Sequence, residues 1–109
     1  MASELPLPPA ELARRLNEVL GLRAGGVRMR VESAALGGTG ERPAVRLRVS
    51  VADHLGGPGT WDVSVPMDPL DLEPDVNTSA LVAVLHANLL EWWDLKDREP
   101  RIAEWGRVV

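Results

Sequence analysis

The chain has 109 residues, enough for one domain and too few for two, with 45% hydrophobic residues, no cysteine and a formal net charge of −4. Without cysteine there are no disulfides, no Cys-ligated zinc, no iron–sulfur cluster and no thiol nucleophile. The negative balance offers a polyanion no global attraction, so nucleic-acid binding would need a local basic patch.

Lys96 is the single lysine among the 12 basic residues, and Phe and Tyr are absent. Such a composition is expected of a high-GC bacterium, and it lowers the weight that arginine carries as a sign of recognition. The opening Met1-Ala2-Ser3-Glu4-Leu5-Pro6 lacks a basic region and an apolar run. Nowhere do about eighteen apolar residues stand together, so a cytoplasmic, soluble protein without a membrane segment is expected.

Residues 1–7 read as a flexible N-terminal arm and residues 8–109 as a single α+β domain. Pro8-Pro9 fix φ for a helix start, Glu11 falls in the first turn, and Leu12, Leu16, Val19 and Leu20 recur at helical spacing. Gly21 is placed to cap that helix, and Gly25-Gly26 to turn the chain away.

From Val27 the period becomes two. Val27, Met29, Val31 and Ser33 fall on one face of a strand, and Arg28, Arg30 and Glu32 on the other. After the loop Gly37-Gly38-Thr39-Gly40-Glu41, a second strand alternates Val45, Leu47, Val49 and Val51 with Arg46, Arg48 and Ser50. After His54-Leu55-Gly56-Gly57-Pro58-Gly59, a third carries Trp61, Val63, Val65 and Met67. Strands are predicted over 27–36, 44–53 and 60–67. Connections this short join only antiparallel neighbours, which makes a three-stranded meander with the second strand in the middle.

An acidic, proline-punctuated segment with Asp68, Asp71, Glu73 and Asp75 leads into a second helix, capped by Asp75 or Asn77 and reaching Leu95 or Asp97. Pro100 starts a short C-terminal turn in which Ile102 and Trp105 share a side. The fold expected is therefore α-β-β-β-α, a three-stranded antiparallel meander covered on one face by two helices and polar on the other.

Two surfaces stand out. Along helix two, Leu81, Leu85, Leu89 and Trp92 form one stripe, and Val82, His86, Leu90 and Trp93 a second. Trp92 and Trp93 point about 100° apart, so Trp92 is expected against the sheet and Trp93 at an interface shared with Trp105. His86, Leu90, Trp93 and Trp105 are the expected partner-binding residues of a non-catalytic interaction protein or assembly subunit, a homodimer or the ligand of a protein partner.

The other surface is the polar sheet face, where Arg28, Arg30, Arg46 and Arg48 could hold phosphates or another acidic surface. A hairpin register with Glu32 opposite Arg48 and Arg30 opposite Ser50 would pair some of them within the chain. The element order is similar to that of double-stranded-RNA-binding domains. Their basic start to helix two is missing, because this helix opens Asp75-Val76-Asn77-Thr78-Ser79. Together with the net charge, this weighs against nucleic acid.

Catalytic signals are thin. Asp53-His54 is the best acid/base candidate. Ser33, Ser50 and Ser64 lack a nucleophile-elbow setting. Gly37 to Arg42 lacks the Gly-Lys-Ser/Thr ending of a phosphate loop, and the acidic linker lacks the central glycine of a calcium loop. A small enzyme is the third reading, with no catalytic residues, cofactor or metal assigned.

Overall fold

The computed structural model describes residues 5–20, 27–53 and 59–109. Residues 1–4 of the expected arm, Gly21, Gly25-Gly26 and the loop with His54 lie outside the described residues.

The fold is α+β. Helix α1 (Pro9–Leu20) is followed by strands β1 (Val27–Gly38), β2 (Pro43–Asp53) and β3 (Gly59–Pro66). A short 3₁₀ turn (Pro69–Leu72), helix α2 (Thr78–Leu95), the single-turn helix α3 (Pro100–Ala103) and strand β4 (Gly106–Val108) complete the chain. The sheet is antiparallel in the order β1-β2-β3-β4.

The inner face carries Val31, Ala34, Val45, Leu47, Val49, Val51, Val63 and Val65, all buried. They form one cluster with Leu12 and Leu16 of α1 and with Leu81, Leu85, Leu89 and Trp92 of α2. Both helices therefore lay an apolar stripe on this face, as the two periodicities require. Leu7, in the segment expected as an arm, is buried in the same cluster.

Asn77 caps α2, its Oδ1 accepting from the N–H groups of Ser79 and Ala80 at 2.9 and 3.2 Å. Asp68 accepts from the Leu70 N–H at 2.9 Å and so starts the 3₁₀ turn that buries Leu72. Arg15 donates to Thr78 Oγ1 at 3.0 Å, joining α1 to the start of α2.

Two features depart from expectation. The register of β1 against β2 shifts between Val31 and Ser33, so Glu32 has no cross-strand partner. An extra residue reverses the parity of everything after it. Ser33, expected on the apolar face, is exposed, and Ala34 turns inward instead. Arg30 stands opposite Ser50 as expected, but Arg48 faces Ser33 rather than Glu32.

The other departure is β4. The meander has three strands as read from the sequence, and the tail after α3 adds a fourth beside β3, with Trp61, Asp62 and Val63 opposite Val108, Arg107 and Gly106. A Cβ at Gly106 would stand 2.5 Å from the Trp92 ring. Only glycine lets the backbone lie this close to a fully buried indole.

Candidate anion-binding face

Among the described residues α1 and α2 pack on the inner face of the sheet, and pairing across the strands arranges the outer side chains in rows. One row runs Ser33, Arg48, Asp62, Arg107, and the next Ala35, Arg46, Ser64, with Ser64 N donating to Trp105 O at 2.6 Å. Arg30, Ser50 and Thr60 make a third, and Arg28 lies beyond it opposite Ala52. Across these rows the neighbours of the arginines are Ser, Thr and Ala, with Asp62 between Arg48 and Arg107. The guanidinium groups therefore stand above a low floor.

The floor dips where the first two rows meet the end of α3. A concavity of about 400 Å³ is lined there by Ser33, Arg46, Arg48, Asp62, Glu104, Trp105 and Arg107. The stem of Arg46 lies across Gly37, where a Cβ would come within 2.6 Å of Arg46 Cδ. Glycine at that position leaves room for the stem of the exposed Arg46 against β1.

Asp62 grips Arg48 with both oxygens, Arg48 Nε and Nη2 donating at 3.0 and 3.3 Å. Those hydrogen bonds hold the Asp62 carboxyl below its usual pKa, and the charges of Arg107 and Arg46 pull the same way. Ser50 Oγ donates to Glu32 at 2.8 Å, and Arg30 lies 3.7 Å from the same carboxylate. The bulged residue thus supplies this acid by a different route from the cross-strand pair expected. Among the described residues Arg46 and Arg107 form no ion pair.

Of the residues expected to bind a partner, His86, Leu90 and Trp93 lie on α2 and are half-buried, as is Trp105, just before β4; Val82, on the same stripe of α2, is buried. Trp93 packs edge-on to Trp61 and Trp92, with ring centroids 6.2 and 5.8 Å away. Lys96 Nζ sits 4.4 Å from its centroid. Trp92 is fully buried against the sheet, as its register with Leu81, Leu85 and Leu89 implies. Trp105 packs on the core cluster and lines the concavity of the outer face.

Arg28, Arg30, Arg46 and Arg48 do share the outer face, and β4 adds Arg107 to them. Sequence reading misses Arg107 because β4 is three residues long, too short for a period of two to register. The available signal is Gly106 between Trp105 and Arg107, which marks a close backbone approach. Ser33 and Ser64 line the concavity, and among the described residues no basic side chain but arginine does. The described residues gather no group of three or more His, Asp or Glu side chains that could hold a metal ion, and no helix of theirs is long and apolar enough to cross a membrane.

No family model, no curated protein and no solved structure matches this chain.

Proposed function

We propose that this chain is a non-catalytic binding module whose working surface is the uncovered sheet face, taking an acidic partner on Arg46, Arg48 and Arg107. The observation that carries this reading is the concavity itself. Three guanidinium groups, two on β2 and one on β4, converge on one dip with two carboxylates, Asp62 and Glu104, on its wall, and Asp62 pairs with Arg48. Arginine forks suit planar oxyanions such as phosphates and carboxylates. The local balance is basic although the chain is acidic overall, so attraction is confined to this face and acts at short range.

The surface of α2 lends less support to a binding role. Trp93, the largest side chain of its second apolar stripe, packs against Trp61 and Lys96 of the same chain.

The reading is tested by titrating the full chain with inorganic polyphosphate at several salt concentrations. Binding should weaken steeply with salt through counterion release. The double variant Arg46→Ala, Arg107→Ala should lose most of that binding while its far-ultraviolet circular dichroism stays unchanged. Absence of binding by the unaltered chain at low salt would sink the proposal.

A further inference from the structure

Resting on that reading, we infer that the acidic partner is a single-stranded nucleic acid, one base of which stacks on Trp105 while the neighbouring phosphates are held by Arg46 and Arg107. The concavity is not lined by charge alone. Trp105, among the described residues the one aromatic side chain on its wall, stands beside Ser64 at the end of the row that carries Arg46, and Arg107 is two residues on along the same backbone. An indole beside guanidinium groups on an open antiparallel sheet provides what an unpaired strand needs, a π surface for a base and forked donors for the phosphates on either side.

Each alternative occupant leaves part of this arrangement unused. A duplex keeps its bases stacked inside, so a half-buried indole in a shallow dip has no base face to meet. Nor does this face present a helix or a projecting ribbon that could enter a groove. An acidic peptide or polyphosphate would engage the arginines and leave Trp105 idle. The hydroxyls of Ser33 and Ser64 can donate or accept toward base edges or sugar hydroxyls, which an all-carboxylate partner would not exploit.

The size of the site and the charge of the chain limit the contact to a few nucleotides. Glu32 accepts from Ser50 of the adjoining row and Glu104 lines the concavity, and the net charge of −4 repels a polyanion beyond the patch. The binding expected is short in footprint, tolerant of sequence and strongest at low salt.

The test measures the anisotropy of a labelled single-stranded oligothymidylate on the full chain, with a blunt duplex, polyphosphate and polyglutamate as competitors. Trp105→Leu keeps apolar bulk for packing on the core but removes the π surface, and Trp105→Phe restores a ring. The leucine variant should bind about 5- to 100-fold more weakly with its salt slope unchanged, and the phenylalanine variant should recover most of the loss. Arg46→Ala should instead lower the salt slope by about 0.7, one phosphate contact on a single strand.

If polyphosphate competes as well as the oligonucleotide and Trp105→Leu binds like the parent, the charge reading stands and the nucleic-acid inference falls. Tighter binding of duplex or of polyglutamate overturns the inference in the same way. If no polyanion binds at all, both readings fall together.

Discussion

Asn17 shows how one side chain can close an open strand. β1 is an edge of the sheet, so every second residue turns its N–H and C=O away from β2 with no ladder partner. At Val31 both groups are taken up by the amide of Asn17 on α1: Val31 N donates to Oδ1 at 2.7 Å and Nδ2 donates to Val31 O at 3.0 Å. A primary amide matches the donor and acceptor of a peptide group, so Asn17 acts there as a one-residue strand, at the position just before the bulge. Asn17→Ala should destabilise the fold by about 1–3 kcal/mol, because it leaves two part-buried backbone groups unpaired. A urea melt checks this, and a shift no larger than that of an exposed helix substitution would count against the clamp.

Asp62 allows a prediction in pH. Its folded pKa is depressed by Arg48, so the stability this carboxylate contributes is present above the ordinary aspartate range and lost as pH falls through the lowered folded value. Protonation in that window also frees Arg48 toward the concavity. Polyphosphate affinity at fixed low salt should therefore rise in Asp62→Asn relative to the parent at neutral pH, and the two proteins should converge on acidification. A parent and variant with equal affinity at neutral pH would show that Asp62 does not restrain the face.

Among the elements, β4 depends most on a single contact. It is three residues long and sits where the Gly106 backbone meets the Trp92 ring. Gly106→Ala puts a methyl group into a fully buried indole that has nowhere to retreat. A cost of about 1–3 kcal/mol is expected from overpacking. The larger effect should be local: β4 lifts from β3 and carries Trp105 and Arg107 away from Arg46. Polyphosphate binding should then fall although no residue that contacts the ligand has changed. Hydrogen exchange at Arg107 and Val109 would detect the lifting, and protection equal to the parent's would refute it.

The longer elements were legible because their patterns are long. Seven residues of β2, Val45 to Val51, alternate without a break, and α2 repeats its leucines through to Trp92. The hairpin connections left antiparallel order as the one economical topology, and Pro9, Asn77 and Pro100 marked helix starts. The bulge was not legible, because a single extra residue leaves both halves of β1 looking like good strand and shows only in pairing. Nor was the fourth strand, whose three residues have no period of their own and are held by a contact with Trp92, 14 positions earlier. The candidate site inherits both gaps. Four of its arginines were placed on the polar face from alternation alone, whereas Arg107 and the position of Trp105 follow from long-range packing.

At the scale of the whole molecule, the two faces of the sheet divide the chemistry. The inner face takes nearly all the branched aliphatic side chains and both helices, and the outer face takes five arginines, Arg28, Arg30, Arg46, Arg48 and Arg107. Most of the acidic residues lie elsewhere, among them Glu11 and Glu18 on α1, the linker from Asp68 to Asp75, and Glu91 and Asp94 on α2. On α1 the charges are locally compensated, since Arg14 and Arg15 bind Glu11 and draw its pKa down to about 2. The molecule is thus electrically lopsided, and an approaching anion is turned toward one side.

The indole cluster also determines how the protein can be observed. With no tyrosine and no phenylalanine, its four tryptophans supply all of its near-ultraviolet absorbance and intrinsic fluorescence. Trp61, Trp92 and Trp93 lie edge-on to one another with centroids 5.3 to 6.2 Å apart, close enough for their transition dipoles to couple. Trp105 stands just before Gly106, which touches Trp92. Every chromophore therefore belongs to the corner where β3, the end of α2 and β4 meet, while α1, β1 and β2 carry none. Near-ultraviolet circular dichroism and emission spectra act as local probes of that corner, and a ligand seated beside Trp105 would signal through the same light that reports whether β4 is docked.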